Sequence, residues 1–346
     1  MKHLLIIITL VLTLTYACKP DDIDVPSKDT FDATKMVVLN EGNFMWGNAS
    51  MSLVDLKKDS IIVDDIYQNK NQEALGDVLQ SATIMGHEIY IVINNSGKIV
   101  VLDKKTLVKK QEKSGLGSPR YVVDGQNGYL YVSDIYANHI KVLNKSDLSV
   151  HATIPCAGWT ERMLYNNNRL YVCNKSSKQL YIVNTTSNSI IDSMNIGYGA
   201  NSLLIDDTDH LWIASDGKAA DGIDAKLIKC SVSVSGLSVL QSWSLNTDAV
   251  SSLCNNVAKD KIYYKQGESI YQMSSSASSL PSSAIITKSG AIWYGLGIEP
   301  SSGDVFVSDA LDYVQRSSIY RYSADGSQLK AQYKAGIISN GFLFGE

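Results

Sequence analysis

The residues able to do acid–base or nucleophilic chemistry are few. Beyond His3 the chain holds His87, His139, His151 and His210. His87 and His210 stand in short turn-like stretches, His151 on an outward run and His139 at the start of an apolar one, and no Ser/His/Asp order can be assigned. Asp134, Asp216, Asp221, Asp224, Asp309 and Asp312 offer the oxygen ligands that a hard cation takes, yet they are scattered and lack EF-hand spacing. No CxxC pair occurs among Cys156, Cys173, Cys230 and Cys254, which argues against structural zinc. One or two disulfides and buried free thiols both fit those four. Recognition chemistry is better supplied. Trp46, Tyr136, Trp159, Tyr198, Trp293, Tyr294 and Tyr313, with Arg120 and Arg162, all lie outside the apolar triplets described below. Large rings beside polar neighbours suit a sizeable, partly apolar ligand.

Composition narrows the class. The 346 residues are 45% hydrophobic and 19% charged with only 6 prolines, which excludes a disordered or collagenous chain. A formal net charge of −4 leaves no basic excess for neutralising phosphates, so no nucleic-acid partner is expected. Tyr outnumbers Phe by 19 to 5, a bias that suits half-buried strands and wet surfaces.

The chain repeats. An apolar–aromatic–apolar triplet recurs at Ile89-Tyr90-Ile91, Leu130-Tyr131-Val132, Leu170-Tyr171-Val172, Leu211-Trp212-Ile213, Ile262-Tyr263-Tyr264 and Val305-Phe306-Val307. The middle residues are 41, 40, 41, 51 and 43 apart. Each triplet follows a turn, usually with an apolar strand before it, and a further strand follows after a polar loop. Four short antiparallel strands every 40 to 50 residues predict an all-β chain of propeller blades. Met36 to Asn40 and Met51 to Asp55 form an N-terminal second and third strand that lack an inner one. The segment 336–343 parallels 197–204, which leads into an inner strand. The sequence therefore predicts a seven-bladed β-propeller over residues 35–346, with residues 341–344 as the closing inner strand. The 51-residue spacing implies insertions, one of them near Asp216 to Asp224.

Such a ring binds at one end of its channel, on the loops from second to third strand and those entering the next inner strand. These loops hold the aromatic and arginine residues above, which are the predicted ligand contacts. No catalytic residue, metal ion or cofactor is expected.

The N-terminus reads as an address. An apolar run from Leu4 to Thr15 is too short to span a bilayer, and Ala17 precedes Cys18. This resembles a bacterial lipoprotein signal over 1–17, with lipid on Cys18, although Thr15 stands where Leu is usual. Lys19-Pro20-Asp21-Asp22-Ile23-Asp24 resembles the export signal of surface-displayed lipoproteins. Residues 18–34 read as a lipidated tether, and the expected location is the outer membrane, facing outward.

Val38-Leu39-Asn40-Glu41-Gly42-Asn43, Leu75-Gly76-Asp77, Ser118-Pro119-Arg120-Tyr121 and the Leu-Tyr-Val triplets resemble the YncE-like propellers of bacterial surface lipoproteins, and most of all the BtuG-type vitamin B12-capturing proteins. The resemblance implies capture of a cobamide and its transfer to a TonB-dependent outer-membrane transporter, without enzyme activity. A glycan-binding or protein-scaffolding propeller and a propeller lactonase or lyase are the competing readings.

Overall fold

The computed structural model describes residues 30–346 except 235 and 246–249. The signal over 1–17, Cys18 and most of the tether lie outside the described residues. Seven four-stranded antiparallel sheets form the ring. Blade 1 takes Lys35–Asn40, Ser50–Asp55 and Ser60–Val63 as its second, third and outer strands, and Ser339–Phe344 as its inner one. The other inner strands are Leu79–Met85, Pro119–Asp124, Thr160–Asn166, Ala200–Ile205, Val250–Asn255 and Trp293–Ile298, for blades 2 to 7.

The triplets are the second strands: Glu88–Ile93, Tyr129–Asp134, Arg169–Asn174, Leu211–Ser215, Lys261–Gln266 and Val305–Asp309. Neighbouring blades cover both of their faces, so they are near-continuous apolar runs rather than alternating ones. Tyr90, Tyr131, Tyr171, Trp212, Tyr263 and Phe306 are fully buried between blades. Outer strands face solvent on one side and alternate instead, as Lys109–Lys113 does. Tight hairpins join inner to second strands. Asn167 and Asn168 take left-handed φ of 49° and 59°, the conformation that a two-residue type I′ turn needs and Asn tolerates.

The ring closes where expected. Met36 to Leu39 pair with Gly341 to Phe344. Asn40 braces the junction: its Oδ1 accepts from the Gly336 N–H (3.1 Å) and the Ser339 hydroxyl (2.7 Å), and its Nδ2 donates to the Ser52 hydroxyl (3.0 Å). Phe306, Phe342 and Phe344 pack together in the same seam. At the opposite end Arg321 bridges blades 7 and 1, donating to Asp304 (2.8 Å), the Leu56 carbonyl (2.8 Å) and Asp59 (2.7 Å).

Three features differ from expectation. The packed unit begins before Lys35, because the Phe31 ring is buried in the core of blades 1 and 2 and its N–H donates to the Lys105 carbonyl; residues 30–34 belong to the propeller, not the tether. A short helix, Ile66–Asn71, joins these two blades, with Asp65 accepting from the Gln68 N–H at its N-terminus. The long fifth repeat has the expected insertion, a loop with a 3-10 turn at Ala219–Asp221, but owes its length also to overlong strands, Lys226–Ser233 and Gly236–Ser244, which were not expected. All four described cysteines are free thiols. Among the described residues no helix is long and apolar enough to cross a membrane.

Removal of residues 339–346 leaves blade 1 without its inner strand, so the truncated protein should lose its cooperative thermal transition, and a peptide of residues 339–344 added in excess should restore it. Asp304 yields a second test. Burial pushes its carboxyl up, but the bonds from Lys330 and Arg321 win and hold it below the usual range. A lowered carboxyl contributes stability above its unfolded pKa and loses it as pH falls through the folded one. Asp304→Asn should therefore cost about 2–4 kcal/mol at pH 7 and give a flatter stability profile than wild type below pH 4, measured by urea unfolding.

Candidate functional site

Every inner strand carries a one-residue β-bulge at the same end. The pairing register slips between Leu79 and Ser81, Pro119 and Val122, Thr160 and Met163, Ala200 and Ser202, Ser251 and Cys254, Trp293 and Leu296, and at Asn340 in the closing strand. A bulge adds one unpaired residue and re-aims its side chain. The residues released here are Gln80, Arg120, Tyr121, Glu161, Arg162, Asn201, Ser252, Leu253, Tyr294 and Asn340. All ten line one central cavity of about 520 Å³, with Glu41, Lys175, Asp216 and Lys265 among the other walls.

A second polar set fixes the loops around that mouth. Near the end of the second strand in blades 2, 3, 4, 6 and 7 a side chain ties down an incoming loop. Asn94 donates to the Pro119 carbonyl (2.9 Å), Asn174 to that of Ala157 (2.7 Å) and Gln266 to that of Leu245 (3.3 Å). Asp134 accepts from the N–H groups of Ser118, Tyr136 and Ala137, and Asp309 from those of Ile292 and Leu311. These bonds occupy Asp134 and Asp309 within their own blades. Among the described residues no three His, Cys, Asp or Glu side chains come together as metal ligands.

The cavity walls are charged. Arg120 forms a bidentate pair with Glu161, Nε to Oε2 at 2.8 Å and Nη2 to Oε1 at 2.7 Å, and also donates to Gln80. The Trp159 indole N–H donates to Glu161 (2.5 Å), and its ring lies between Arg120 and Lys175, 5.5 and 5.4 Å away. Lys175 pairs with Asp216 at 3.5 Å. Glu41 accepts from Asn340 (3.0 Å) and the Tyr294 hydroxyl (3.2 Å); burial nonetheless raises its carboxyl above the usual range. Lys265 donates to the Trp293 and Tyr294 carbonyls, and burial holds its ammonium down at about 8. Arg162 stacks on Tyr121 at 4.8 Å. These two residues also border a second cavity of about 560 Å³, which runs to the far end of the channel between Ile84, Met85, Val123 and Leu164.

The predicted contacts fall into three groups. Arg120, Arg162 and Tyr294 face the central cavity, with Trp159 against its wall. On the rim, Trp46 and Tyr136 are 75% and 76% exposed, and Tyr313 is exposed as well. Trp46 belongs to the loop Phe44-Met45-Trp46, whose Asn43 donates to the Tyr313 carbonyl (2.8 Å), so two loops of blades 1 and 7 form one apolar ridge. Tyr198 lies beneath Lys218 on the rim of blade 5. Trp293 belongs to none of these groups. It is 3% exposed, donates to the Glu268 carbonyl (2.8 Å) and meets Tyr320 edge-on, so it packs between blades and presents no surface to a ligand. Successive strand residues point to opposite faces, which is why Tyr294 turns to the channel when Trp293 turns away. Sequence reasoning missed Glu41, Lys175 and Lys265, and it offered Asp216 as a cation ligand where the structure pairs it with Lys175. Only Lys265 leaves a signal, a lysine two places after a triplet centre. His151, by contrast, stacks on Tyr129 at the ring's outer edge.

Solved structures share this architecture at low sequence identity. A quinoprotein alcohol dehydrogenase-like protein of Bacteroides thetaiotaomicron is 14% identical, with a TM-score of 0.73 over 92% of this chain and 80% of that one. The periplasmic gluconolactonase of Pseudomonas aeruginosa is 11% identical, with a TM-score of 0.68 over 90% and 99%. Hydrazine synthase of Kuenenia stuttgartiensis is 13% identical, with a TM-score of 0.62 over 76% and 88%. At these identities the likeness is one of fold. No curated protein matches the chain in sequence. One family model does, over residues 35–342, which is the propeller from its second strand to its closing one: the chain belongs to the family described as Domain of unknown function (DUF5074).

Proposed function

We propose that this propeller is a binding protein that captures a large, partly apolar ligand at the bulged end of its channel, and that the ligand is a cobamide. The observation that carries the proposal is the pairing of an apolar ridge, Phe44, Met45, Trp46 and Tyr313, with a polar cavity on the same face. A corrin ring is wider than a cavity of about 520 Å³ can enclose, so it lies across the mouth. There its apolar faces meet the exposed rings and its peripheral amides meet the charged walls. The protein acts by binding and transfer rather than by chemistry; the described cavity walls hold no histidine. Cys18 carries lipid, the chain is held on the outer membrane facing outward, and a TonB-dependent transporter receives the ligand.

Titration of the mature protein with cyanocobalamin tests the reading. One-to-one binding is expected, with Trp46→Ala and Tyr136→Ala each weakening it roughly tenfold. Trp293→Ala should instead cost about 3 kcal/mol of stability, because it opens a cavity between blades. An absence of binding with cyanocobalamin in large excess would overturn the cobamide assignment. For the anchor, cells fed radiolabelled palmitate should label the protein, and Cys18→Ser should abolish the label and release the chain from membranes.

A further inference from the structure

The cavity floor is built unlike the rest of the ring. Two places after the triplet centre, the second strands of five other blades carry Val92, Ser133, Cys173, Ala214 and Ser308, and blade 1 carries Leu39 beside its bulge, all small or apolar. Blade 6 carries Lys265. A strand position that packs in every other blade here bears an ammonium, and burial is costly for that charge. Its Nζ donates to the Trp293 carbonyl at 2.7 Å and the Tyr294 carbonyl at 3.2 Å. The third N–H has no acceptor, and no carboxylate lies within ion-pair distance, among the described residues. Arg162 lacks a carboxylate as well. It is held flat on Tyr121, with no hydrogen-bond acceptor for its guanidinium among the described residues.

The other two cations of the cavity are matched. Arg120 is satisfied by Glu161, and Lys175 by Asp216. Glu41 is the one other carboxylate of the walls, and burial opposes its ionisation. Four basic side chains, Arg120, Arg162, Lys175 and Lys265, thus face three carboxylates, Glu41, Glu161 and Asp216, around the cavity. Two buried acceptors complete the pattern. Asn201 Nδ2 donates to Asp216 and to the Val250 carbonyl, both at 2.7 Å. Asn340 Nδ2 donates to Glu41 and to the carbonyls of Leu79 and Gln80. These donor bonds fix both amide orientations, and Oδ1 of each is then buried without a partner.

We propose that the central cavity is an anion subsite in which Lys265 and Arg162 hold a carboxylate or phosphate group, while Asn201 and Asn340 accept from hydroxyl or amide donors beside it. Bringing an anion there supplies both cations with a partner, and flanking donors satisfy both stranded oxygens. A neutral ligand could do only the second. The assignment deepens the binding reading above and rests on it for the location, but it does not require a corrin.

Calorimetric titration of the mature protein with matched probes tests it: glucuronate against methyl glucoside, and ribose 5-phosphate against ribose. The anionic member of at least one pair should bind roughly tenfold or more tightly than its neutral partner, the scale of a charge-assisted hydrogen bond. The pair that shows the preference tells carboxylate from phosphate. Lys265→Met and Arg162→Gln should each erase it, with folding checked by thermal melts, and Lys265→Arg should retain part of it. Equal binding within both pairs, or no binding of any probe, would overturn the subsite. Either result is separable from the cobamide assignment. Cyanocobalamin that binds wild type and Arg162→Gln alike sustains capture without the subsite, and a preference for anions without cyanocobalamin binding sustains the subsite without the corrin.

Discussion

Everything in this molecule depends on one pairing between segments some three hundred residues apart, Met36 to Leu39 against Gly341 to Phe344. Bringing such distant segments together costs about 5 kcal/mol of chain entropy beyond a constant term. The compensation comes from several directions at once. The strand pair adds ladder hydrogen bonds, three phenylalanines close the seam, and Asn40 and Arg321 brace its two ends. Without that pairing the faces of blades 1 and 7 stand open, and an open array presents edges to other chains. Blade 2 then loses its neighbour too, since Phe31, Leu53 and Leu343 share a core with Leu79 and Ile91.

A closed ring also turns a local irregularity into a site. A single bulge on an isolated sheet would merely kink an edge. Seven of them at the same height aim ten side chains at one axis. In most blades a bond from the second strand to an incoming loop braces the chain beside the bulge. Chemistry at the axis is set by which residues the bulges release and by what the second strands place beside them. Arg120 and Glu161 neutralise each other, whereas Arg162 and Lys265 do not find a carboxylate among the described residues.

The ring itself was legible in the chain because its second strands are buried on both faces. That requirement leaves a run of apolar residues around an aromatic centre, and Tyr90, Tyr131 and Tyr171 mark it at intervals no other fold element explains. The closing strand was legible by parity with the segment ahead of blade 5. The bulges were not. A bulge is a property of register, and residues as different as Gln80, Arg120 and Tyr294 occupy it, so no residue type announces it. Ring placement failed at Trp293 for a related reason: its strand begins one residue before the bulge, and the alternation that sends Tyr294 inward sends Trp293 into the seam. Glu41 and Asp216 sit in loops whose path only the folded chain defines.

The closing arrangement has a mechanical side. The chain enters the ring at Phe31, whose N–H is held by Lys105, and runs directly into the second strand of blade 1. That strand is flanked along its length by the third strand on one side and the closing strand on the other, and Gly345 donates to the Lys35 carbonyl at its start. A pull on the N-terminal side of residue 30 therefore loads two ladders lengthwise, so their bonds must yield together instead of peeling one at a time. A body held in a flow by its N-terminal end would bear tension along the seam that closes its ring.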